Sequence, residues 1–422
     1  MPAPTSRRAV LAVLRRIRVG QLTIHDHTGE VIVCGPGGDG PRAEVFVRDL
    51  RAWPLVLRGS RGIVDGYVEG WWETPDLTAV FRVAARNIGR ADRLVAKLAR
   101  IRTPWMRLRS GFVRNTPSRS RKDISAHYDL GNDMFALWLD PRLMYSCAFF
   151  AERDTSLAEA AEAKLEATCR KLELRAEDHL LEIGTGWGGL AVYAATTRGC
   201  RVTTTTISRE QFDEAVARVK AAGVDHLVEV RLDDYRELTG TYDKLVSIEM
   251  IEAVGYRDFD TFFARCSALL KPDGLMVLQA ITIDDRSFEI SKDARSFIRT
   301  YIFPNGCLPS VEVMAHHVRH DTDMRTLRLD DYAAHYAETL RRWRENFEAA
   351  ADKLDALGYD ERFRRLWRAY LCYCEAGFDE RHVGLVQLVL AKPLYRADSV
   401  PERAVAPAAS AASSGRRSYA TR

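Results

Sequence analysis

The sequence predicts an α/β fold in which a mostly parallel β-sheet follows a small N-terminal α+β domain. From Ile124 to about Pro393, short apolar runs alternate with longer segments of helical periodicity. This alternation is typical of a parallel sheet covered by helices. The run Leu180–Leu190 (LLEIGTGWGGL) leads an apolar strand through a glycine-rich turn into a helix. Such turns let the backbone approach a ligand at the carboxyl end of a strand, so a ligand site is expected there.

The N-terminal domain, placed at residues 1–100, is predicted from alternating apolar and polar positions between turn signals. A loop is expected at Gly35–Gly40 and a helix from Leu77 to about Ala99. Strand-like runs are expected at Gln21–His25, Val31–Cys34, Glu44–Val47 and Leu55–Leu57.

The second domain is placed at residues 123–395, after a linker at 101–122, and a disordered tail is predicted at 396–422. An inserted helix is expected around Ser310. Strands are predicted at His179–Ile183, Arg201–Ile207, Leu227–Leu232, Tyr242–Ile248 and Leu275–Ile283, and longer helices at Ser156–Lys171, Glu210–Ala222, Tyr256–Leu270, Ser291–Tyr301, Tyr332–Leu357 and Glu361–Phe378.

Composition narrows the class of protein. The 422 residues are 46% apolar, and no run approaches the roughly 18 apolar residues of a membrane-spanning helix, so any membrane contact is expected to be peripheral. The apolar run near the N-terminus is too short and interrupted for a secretory signal. Eight scattered cysteines lack paired metal-ligand spacing and suggest a reducing cytoplasm. His316, His317 and His320 are read as a solvated helix face, so no metal is predicted.

Positive charge is concentrated in one stretch. Between Phe81 and Lys122 there are thirteen Lys or Arg and one acid, whereas the net charge of the chain is only +4. Such asymmetry indicates an anionic partner, and phospholipid headgroups fit it better than nucleic acid once the motifs below are considered. The alternative is a solvated helix face followed by a linker.

The glycine run admits two cofactors. Gly184, Gly186 and Gly189 match G-x-G-x-x-G, which is found at nicotinamide and flavin sites. That fingerprint is usually followed about 20 residues later by an acid at the end of the next strand. The second strand here, CRVTTTTI, has none. The run also fits E-x-G-x-G-x-G, starting at Glu182, and so resembles motif I of the methyltransferases that use S-adenosylmethionine (SAM), which is the favoured reading.

Seven segments in order resemble one family. They are HYDLGND from His127, MYSCA from Met144, the glycine run, ISREQ from Ile207, EMIEAVG from Glu249, YIFPNG from Tyr301 and YAETL from Tyr336. Together they closely resemble the cyclopropane-fatty-acyl-phospholipid synthases and their mycolic-acid relatives, over roughly Gly62 to Pro393. The run from Gly62 to Trp72 is similar to the lipid-side N-terminal domain of that family.

The resemblance implies a class I SAM-methyltransferase fold: a Rossmann-like sheet with helical insertions. It also implies transfer of the SAM methyl to a cis double bond of an unsaturated phospholipid acyl chain. A carbocation develops on the chain, and loss of a proton closes a cyclopropane ring. In this family a bound bicarbonate is the proposed base. Water must be excluded, and aromatic residues such as Trp138, Phe149, Phe150 and Tyr301 are candidates for the walls of the site.

The resemblance also assigns site residues. The bicarbonate site is implied at Cys147, Glu252, the backbone carbonyl of Ile281 and Tyr336. We expect Glu252 to be catalytic, although either Glu252 or Glu249, three residues before it, could be an ordinary helix-start acid. Cys147 is not expected to be a nucleophile, because alkene alkylation offers it nothing to attack. The implied cofactor pocket comprises Tyr145, Ser146, Glu182, Gly184, Gly186, Gly188, Thr206, Ile207, Gln211, Asp234 and Tyr235.

The sequence departs from the family at Gln279, where most close members carry a histidine two residues before Ile281. An amide can donate a hydrogen bond to bicarbonate, but it cannot titrate near neutral pH. Gln279 therefore stays in the candidate catalytic set, and the product is left open. One outcome is a cyclopropane; the other is a methylene- or methyl-branched chain, the latter requiring a partner reductase.

Two further alternatives belong to other functional classes. A non-catalytic lipid-binding protein with a decayed methyltransferase core is disfavoured by the intact glycines, Cys147, Glu252 and Tyr336. A nucleic-acid methyltransferase would be supported only by the basic linker. We expect a cytoplasmic enzyme at the inner face of the membrane, binding an anionic surface; the family analogy adds a homodimer.

Overall fold

The computed structural model describes residues 3–87, 131–294, 296–304 and 306–397. Five predictions lie wholly or mostly outside these residues: the helix from Leu77 to about Ala99, the linker at 101–122, the basic stretch that contains it, the segment around His127 and the tail. In the part of the chain that the structure describes, no helix is both long enough and apolar enough to cross a bilayer.

A seven-stranded sheet forms the centre of the second half of the chain. Its strands are β5 (His179–Ile183), β6 (Arg201–Thr205), β7 (Val228–Arg231), β8 (Tyr242–Ile248), β9 (Leu270–Ile283), β10 (Arg325–Asp331) and β11 (Val383–Ala391). The order is β10-β11-β9-β8-β5-β6-β7. The five strands from β9 to β7 run parallel. At one edge β11 pairs antiparallel with β9, and β10 pairs antiparallel with β11. The predicted α/β class with a mostly parallel sheet is confirmed.

Both faces of the sheet are buried. Neighbouring residues of a strand point to opposite faces. Leu180 accordingly packs in one apolar cluster with Val277, whereas Leu181 packs in another with Leu278. Burial on both sides explains why the central strands read as continuous apolar runs. The covering helices are Leu157–Lys171, Gly189–Arg198, Arg209–Ala221, Ile251–Val254, Phe259–Leu269, Asp285–Ser291, Phe297–Tyr301, Val311–Asp321, Ala333–Ala349, Ala351–Ala356 and Glu361–Asp379, after a short helix at Asn132–Ala136.

The helix before β5 shows how local sequence sets an element boundary. Ser156 caps it: the Ser156 hydroxyl accepts from the N–H of Glu159, and the Glu159 carboxylate accepts from the N–H of Ser156 at 2.9 Å. This reciprocal capping box satisfies backbone donors that the first turn leaves free. The helix predicted at Ser156–Lys171 is therefore confirmed, with Ser156 as its cap.

The N-terminal part contains a second, four-stranded sheet. Its strands are β1 (Gly20–His25), β2 (Val31–Gly37), β3 (Arg42–Val47) and β4 (Trp72–Glu73), in the order β2-β1-β3-β4. Helices lie at Ala3–Leu14, Ala52–Val56, Ser60–Val68 and residues 77–87. The strand-like run expected at Leu55–Leu57 was wrong, because Leu55 and Val56 belong to a helix. An apolar run of three residues is too short to separate the two periodicities.

Several elements of the second half differ from the prediction. β10 and β11 were not predicted as strands, and the helix expected over Tyr332–Leu357 divides at Ala350. The helix expected over Ser291–Tyr301 is confined to Phe297–Tyr301, with a separate helix ending at Ser291. These segments form the antiparallel edge of the sheet and the helical insertions beside it.

The N-terminal sheet and the helix Glu361–Asp379 share one apolar cluster, which extends from Val10 to Leu385. Polar contacts reinforce it: the Arg365 guanidinium lies 4.2 Å from the centre of the Tyr67 ring and donates to Glu73 at 2.8 Å. The boundary predicted at residue 100 stays a prediction.

Candidate functional site

The glycine loop lies where the strand order of the large sheet reverses. β5 is flanked by β6 on one side and β8 on the other, and crevices of this kind at the carboxyl ends of strands receive ligands. Gly184, Gly186 and Gly188 have φ values of 102°, 53° and 83°, which L-residues with a side chain rarely adopt. A Cβ on Gly188 would lie 3.2 Å from the Cβ of Ala215, while no atom lies within 4 Å of a Cβ built on Gly186. The loop is therefore close-packed behind and open at Gly186.

Glu182 braces this loop from beneath. It is buried, and its carboxyl accepts from the hydroxyl of Thr204 at 2.6 Å. The Thr204 hydroxyl lies 2.7 Å from that of Thr185, which belongs to the loop. Burial raises the pKa of Glu182 to about 8, and the Thr204 hydrogen bond and the charge of Lys164 oppose this rise.

Five more of the predicted cofactor residues follow the carboxyl ends of β6 and β7: Thr206, Ile207, Gln211, Asp234 and Tyr235. The hydroxyl of Thr206 donates to the Gln211 side chain at 2.9 Å, beside Ile207. Both carboxylate oxygens of Asp234 accept from Arg236, at 2.8 and 2.7 Å. The ring of Tyr235 packs edge-on against Phe262, and its buried hydroxyl has no partner among the described residues.

Tyr145 belongs to a large aromatic cluster. Its hydroxyl lies 2.8 Å from that of Tyr370. Its ring packs at centroid distances of 5.4 Å from Phe135, 5.5 Å from Trp138 and 5.4 Å from Trp343. Of the expected wall residues, Trp138 and Phe149 are buried and Phe150 is partly buried, but Tyr301 is 40% exposed.

Three of the predicted catalytic residues converge on Glu249. One oxygen of its carboxylate accepts from the Cys147 backbone N–H at 3.0 Å and from the Gln279 amide at 2.7 Å. The other accepts from the Tyr336 hydroxyl at 2.5 Å. Glu249 has φ 51° and its own N–H donates to the Gln279 carbonyl at 2.8 Å. The donors that the sequence assigned to bicarbonate therefore surround a carboxylate of the protein.

Glu252 makes a separate contact. One of its oxygens accepts from the N–H of Ile281 at 2.5 Å, and its backbone carbonyl accepts from Cys307 at 2.7 Å. Its other carboxylate oxygen is buried without a partner among the described residues. Burial, reinforced by the negative charge of Glu249, raises the pKa of Glu252 to about 8. Glu252 is therefore mostly protonated at neutral pH.

Gln279 has both ends of its amide engaged. Its N–H donates to Glu249, and its oxygen accepts from the Gln387 amide at 2.7 Å. The Gln387 oxygen in turn accepts from Lys171 at 2.5 Å, and Lys171 also pairs with Asp330 at 2.6 Å. This chain of contacts orients Gln279 with its donor toward Glu249.

Glu249 is the residue that sequence reasoning passed over. The signal was present, since a buried glutamine needs an acceptor for its amide N–H, and Glu249 follows the neighbouring parallel strand. Glu249 accepts that hydrogen bond from a left-handed backbone conformation, and no sequence pattern indicates such a conformation.

Electrostatics set the protonation states here. Burial raises the pKa of Glu249, whereas hydrogen bonds from Tyr336, Cys147 and Gln279 and the charge of Lys164 lower it. Burial and the charge of Glu249 raise the pKa of the Cys147 thiol well above its ordinary value, so Cys147 is not a thiolate at neutral pH.

Among the described residues, no group of three His, Cys, Asp or Glu side chains could hold a metal ion. His316 and His320 are exposed, with ring centroids 4.4 Å apart, and His317 lies 2.6 Å from Asp321.

The arrangement combines three chemical elements at one edge of the sheet. The glycine loop can accept a cofactor, and the aromatic cluster is largely buried. Tyr336 joins that cluster to the carboxylate, since its ring packs 6.1 Å from Trp343 and 4.4 Å from Phe378 while its hydroxyl donates to Glu249. Such a site can stabilise positive charge on a ligand and accept a proton from it.

The family model described as mycolic acid cyclopropane synthetase matches residues 115–388. The tuberculostearic acid methyltransferase UfaA1 of Mycobacterium tuberculosis is 38% identical over 369 residues, covering 84% of each chain. The cyclopropane-fatty-acyl-phospholipid synthase of Escherichia coli K12 is 37% identical over 363 residues, covering 84% of this chain and 89% of its own.

Solved structures agree. The cyclopropane synthase MmaA2 of Mycobacterium tuberculosis has a TM-score of 0.61 at 30% identity, covering 64% of this chain and 98% of its own. The mycolic acid cyclopropane synthase CmaA1, solved with SAH and CTAB, also has a TM-score of 0.61 at 30% identity, covering 66% and 99%. The predicted family and class I methyltransferase fold are confirmed. The chain belongs to the mycolic acid cyclopropane synthetase family and is a SAM-dependent methyltransferase.

Proposed function

We propose that the protein transfers a one-carbon unit from SAM to the cis double bond of phospholipid acyl chains and forms cyclopropane fatty acids. The observation that carries this proposal is the buried Glu249 carboxylate, which lies beside the aromatic cluster and at the carboxyl edge of the sheet. The relatives support the substrate class, since their names describe action on fatty-acyl phospholipid and methylation of a fatty acid.

The residues of the glycine loop fit SAM. The left-handed turn at Gly186 has no neighbouring atom where a Cβ would stand, and the helix Gly189–Arg198 begins directly behind it with free N–H groups in its first turn. When bound, SAM supplies the methyl that adds to the alkene, which leaves a positive charge on the acyl chain. We assign the holding of SAM to Tyr145, Ser146, Glu182, Gly184, Gly186, Gly188, Thr206, Ile207, Gln211, Asp234 and Tyr235.

We assign the base to Glu249. A proton leaves the carbon that has joined the chain, the C–H electron pair closes the third bond of the ring, and the Glu249 carboxylate takes the proton. A raised pKa suits this role, because it makes the carboxylate a stronger base. Cys147, Gln279 and Tyr336 hold the carboxylate in place through their hydrogen bonds.

Bicarbonate is the second candidate for the base. Three of the donors expected to hold it already donate to Glu249, which argues against it. The unpartnered oxygen of Glu252 favours it, because a buried and mostly protonated carboxyl could donate to a bound anion. Glu252 therefore stays in the proposed site, together with the backbone of Ile281 that it contacts.

Two products are compatible with this chemistry. Ring closure gives a cyclopropane. A hydride shift followed by proton loss gives a methylene branch, which a separate reductase would convert to a methyl branch. The similarity to a tuberculostearic acid methyltransferase and the presence of Gln279 favour the second product as the alternative.

We further propose that the protein acts in the cytoplasm, bound peripherally to the anionic inner surface of the membrane, as a homodimer. The basic residues between Phe81 and Lys122 support the surface contact. Binding to vesicles that contain anionic lipid is then expected to weaken with rising salt, since exposed charges are screened over about 10 Å at 0.1 M ionic strength.

The deciding experiment is expression in a bacterium that lacks its own synthase, fed with methyl-deuterated methionine, with fatty acid methyl esters analysed by gas chromatography–mass spectrometry. A ring product that retains two deuterium atoms supports cyclopropanation. A product that ozone cleaves, or a saturated methyl branch, supports the alternative.

A vector carrying no insert is the control for background methylation. If no fatty acid gains a one-carbon unit in cells, and purified protein with SAM and unsaturated phospholipid vesicles gives none either, the proposed function fails.

A further inference from the structure

Lys164 is a fully buried lysine with no role in the proposed reaction so far. Among the described residues it is the one lysine or arginine that is buried as a whole residue, at 0% exposure. It stands on the helix Leu157–Lys171, and its ammonium donates to the Ser146 hydroxyl at 2.8 Å. That is the one hydrogen bond the structure gives this ammonium in the described part of the chain, and no ion pair there accompanies it.

Burial of an ammonium without a contacting carboxylate is costly, so its retention needs a compensating interaction. The acids that lie near it supply one at longer range. Burial lowers the pKa of Lys164, and the charges of Glu249, Asp140, Cys147 and Glu182 oppose that fall. The charge of Lys164 in turn lowers the pKa of Glu249 and of Glu182. A single cation therefore faces the proposed base and the acid beneath the cofactor loop.

The position of Ser146 adds a mechanical link. Ser146 lies between Tyr145, in the aromatic cluster, and Cys147, whose N–H donates to Glu249. The ammonium thus holds the same short loop that presents a donor to the base.

We propose that Lys164 is a positioning residue for the reaction: its ammonium keeps Glu249 in the charged form and, through Ser146, fixes the loop that donates to it. This inference rests on the proposed function. A lysine that only filled space would influence the fold and would leave the protonation of the base unchanged.

Other groups around Glu249 do not replace this charge. No other cation is found among the described groups that face it. The facing groups are the Cys147 thiol from the loop, the Glu252 carboxyl from the helix Ile251–Val254, the Gln279 amide from β9, the Tyr336 hydroxyl from the helix Ala333–Ala349 and Lys164 itself.

The test compares Lys164→Met and Lys164→Arg in the full chain. Turnover is measured with SAM and vesicles of unsaturated phosphatidylethanolamine and phosphatidylglycerol between pH 6 and 9. With Lys164→Met, the acidic limb of the profile is expected to move to higher pH by about one unit, which corresponds to roughly tenfold lower activity on that limb. Lys164→Arg is expected to keep the limb near its original position. An unshifted limb in Lys164→Met would overturn the inference.

Lys392→Met is the matched control, because Lys392 is a largely buried lysine that pairs with Asp323 at 2.6 Å, away from the glycine loop. Its profile is expected to match that of the unmodified protein. An equal shift in this control would show that the loss of any buried lysine moves the limb, and would contradict the inference.

A second measurement covers the case in which Lys164→Met alone does not fold or the protein shows no turnover. Thermal unfolding at pH 8 is compared for Lys164→Met, Glu249→Gln and the double variant. Replacement of Lys164 by Met is expected to lower the melting temperature of the Glu249→Gln variant by several degrees less than it lowers that of the unmodified protein. Additive losses, or insolubility of the double variant as well, would overturn the inference. This result is independent of whether the protein acts on lipids, so failure of the proposed function remains distinguishable.

Discussion

Glu249 carries two energetic costs at one position. Its backbone φ of 51° lies in the left-handed region, which residues other than glycine rarely adopt. Full burial of its side chain also disfavours the charged form of the carboxyl group. A left-handed backbone at a non-glycine residue costs on the order of 1–3 kcal/mol, and it persists only where the surrounding structure holds it in place. The three donors around its carboxylate supply that enforcement.

Replacement of Glu249 tests its role as the base. Glu249→Gln keeps the size of the side chain and removes the base, so turnover is expected to fall by about 10²- to 10⁴-fold. SAM binding, followed by calorimetry, is expected to change little. Glu166→Gln is the control. Glu166 lies on the helix Leu157–Lys171 and pairs with Arg198, the last residue of the helix Gly189–Arg198. Turnover of Glu249→Gln within threefold of the original would show that the base lies elsewhere.

Bicarbonate separates the two candidate bases. The unmodified protein is expected to keep its turnover in buffer freed of carbon dioxide. Glu249→Gly, which opens the space held by the carboxylate, is expected to recover part of its lost activity when bicarbonate is added. Loss of activity of the unmodified protein in the freed buffer would instead favour a bound bicarbonate.

A buried acid beneath the cofactor loop makes stability depend on pH. Burial raises the pKa of Glu182 from its ordinary value of 4.5 to about 8, so the folded state holds a proton that the unfolded chain releases. This contribution is complete below pH 4.5 and is lost as pH rises toward 8, at about 1.4 kcal/mol per pH unit in between. Scanning calorimetry between pH 5.5 and 8 is expected to show a shallower fall in melting temperature for Glu182→Gln. Equal slopes would contradict the assignment.

At the scale of single residues, the sequence located most of the residues that meet in the site but not their geometry. Cys147, Gln279 and Tyr336 were expected to surround an anion, and they do surround a carboxylate. The carboxylate belongs to Glu249, whose backbone has a left-handed φ of 51°. The roles of all these residues stay predictions.

At the scale of elements, the turn between β5 and the following helix is the most constrained. A Cβ on Gly188 would stand 3.2 Å from the Ala215 Cβ, at a φ of 83°. Gly188→Ala is therefore expected to strain the loop and to weaken SAM binding by about tenfold or more, as measured by calorimetry. Gly223→Ala is the control, because Gly223 also has a positive φ but no atom lies near its Cβ position. Equal effects of the two substitutions would assign the loss to backbone strain alone.

Buried strands were predicted more accurately than exposed ones. β5 and β8 were predicted with the bounds that the structure has, since their strands are buried on both faces. β10 has side chains exposed at nearly every position, so its sequence RTLRLDD carries no clean alternation. It is a strand because β11 offers it backbone partners, and such pairing is invisible in a local pattern.

At the scale of the whole molecule, Arg365 links the N-terminal sheet to the helices that cover the large sheet. It stacks on Tyr67 and pairs with Glu73, and its side chain is only 17% exposed. Arg365→Met is expected to lower the melting temperature by a few degrees, because partly buried polar groups lose their partner. Arg362→Met is the control, since Arg362 pairs with Glu69 at 71% exposure and such surface pairs contribute little. Equal losses for both would show that the stacked contact adds nothing.

The sequence pattern could predict that a small α+β part precedes the α/β part that contains the large sheet. Their shared apolar cluster could not be predicted, because it joins Val10 and Leu385, residues at opposite ends of the described chain. Contacts so distant in sequence depend on the complete topology rather than on any segment.

The orientation of Gln279 limits how this enzyme can diverge. Its amide donates to Glu249 and accepts from Gln387, which in turn accepts from Lys171. Replacement of any one member leaves a buried donor or acceptor unsatisfied, at a cost of about 1–3 kcal/mol. Substitutions along this chain should therefore be epistatic: each is harmful alone and tolerated only with its neighbour. Evolution can therefore replace the Glu249 carboxylate by a bound bicarbonate only through a less stable protein variant, or by changing several of these positions together.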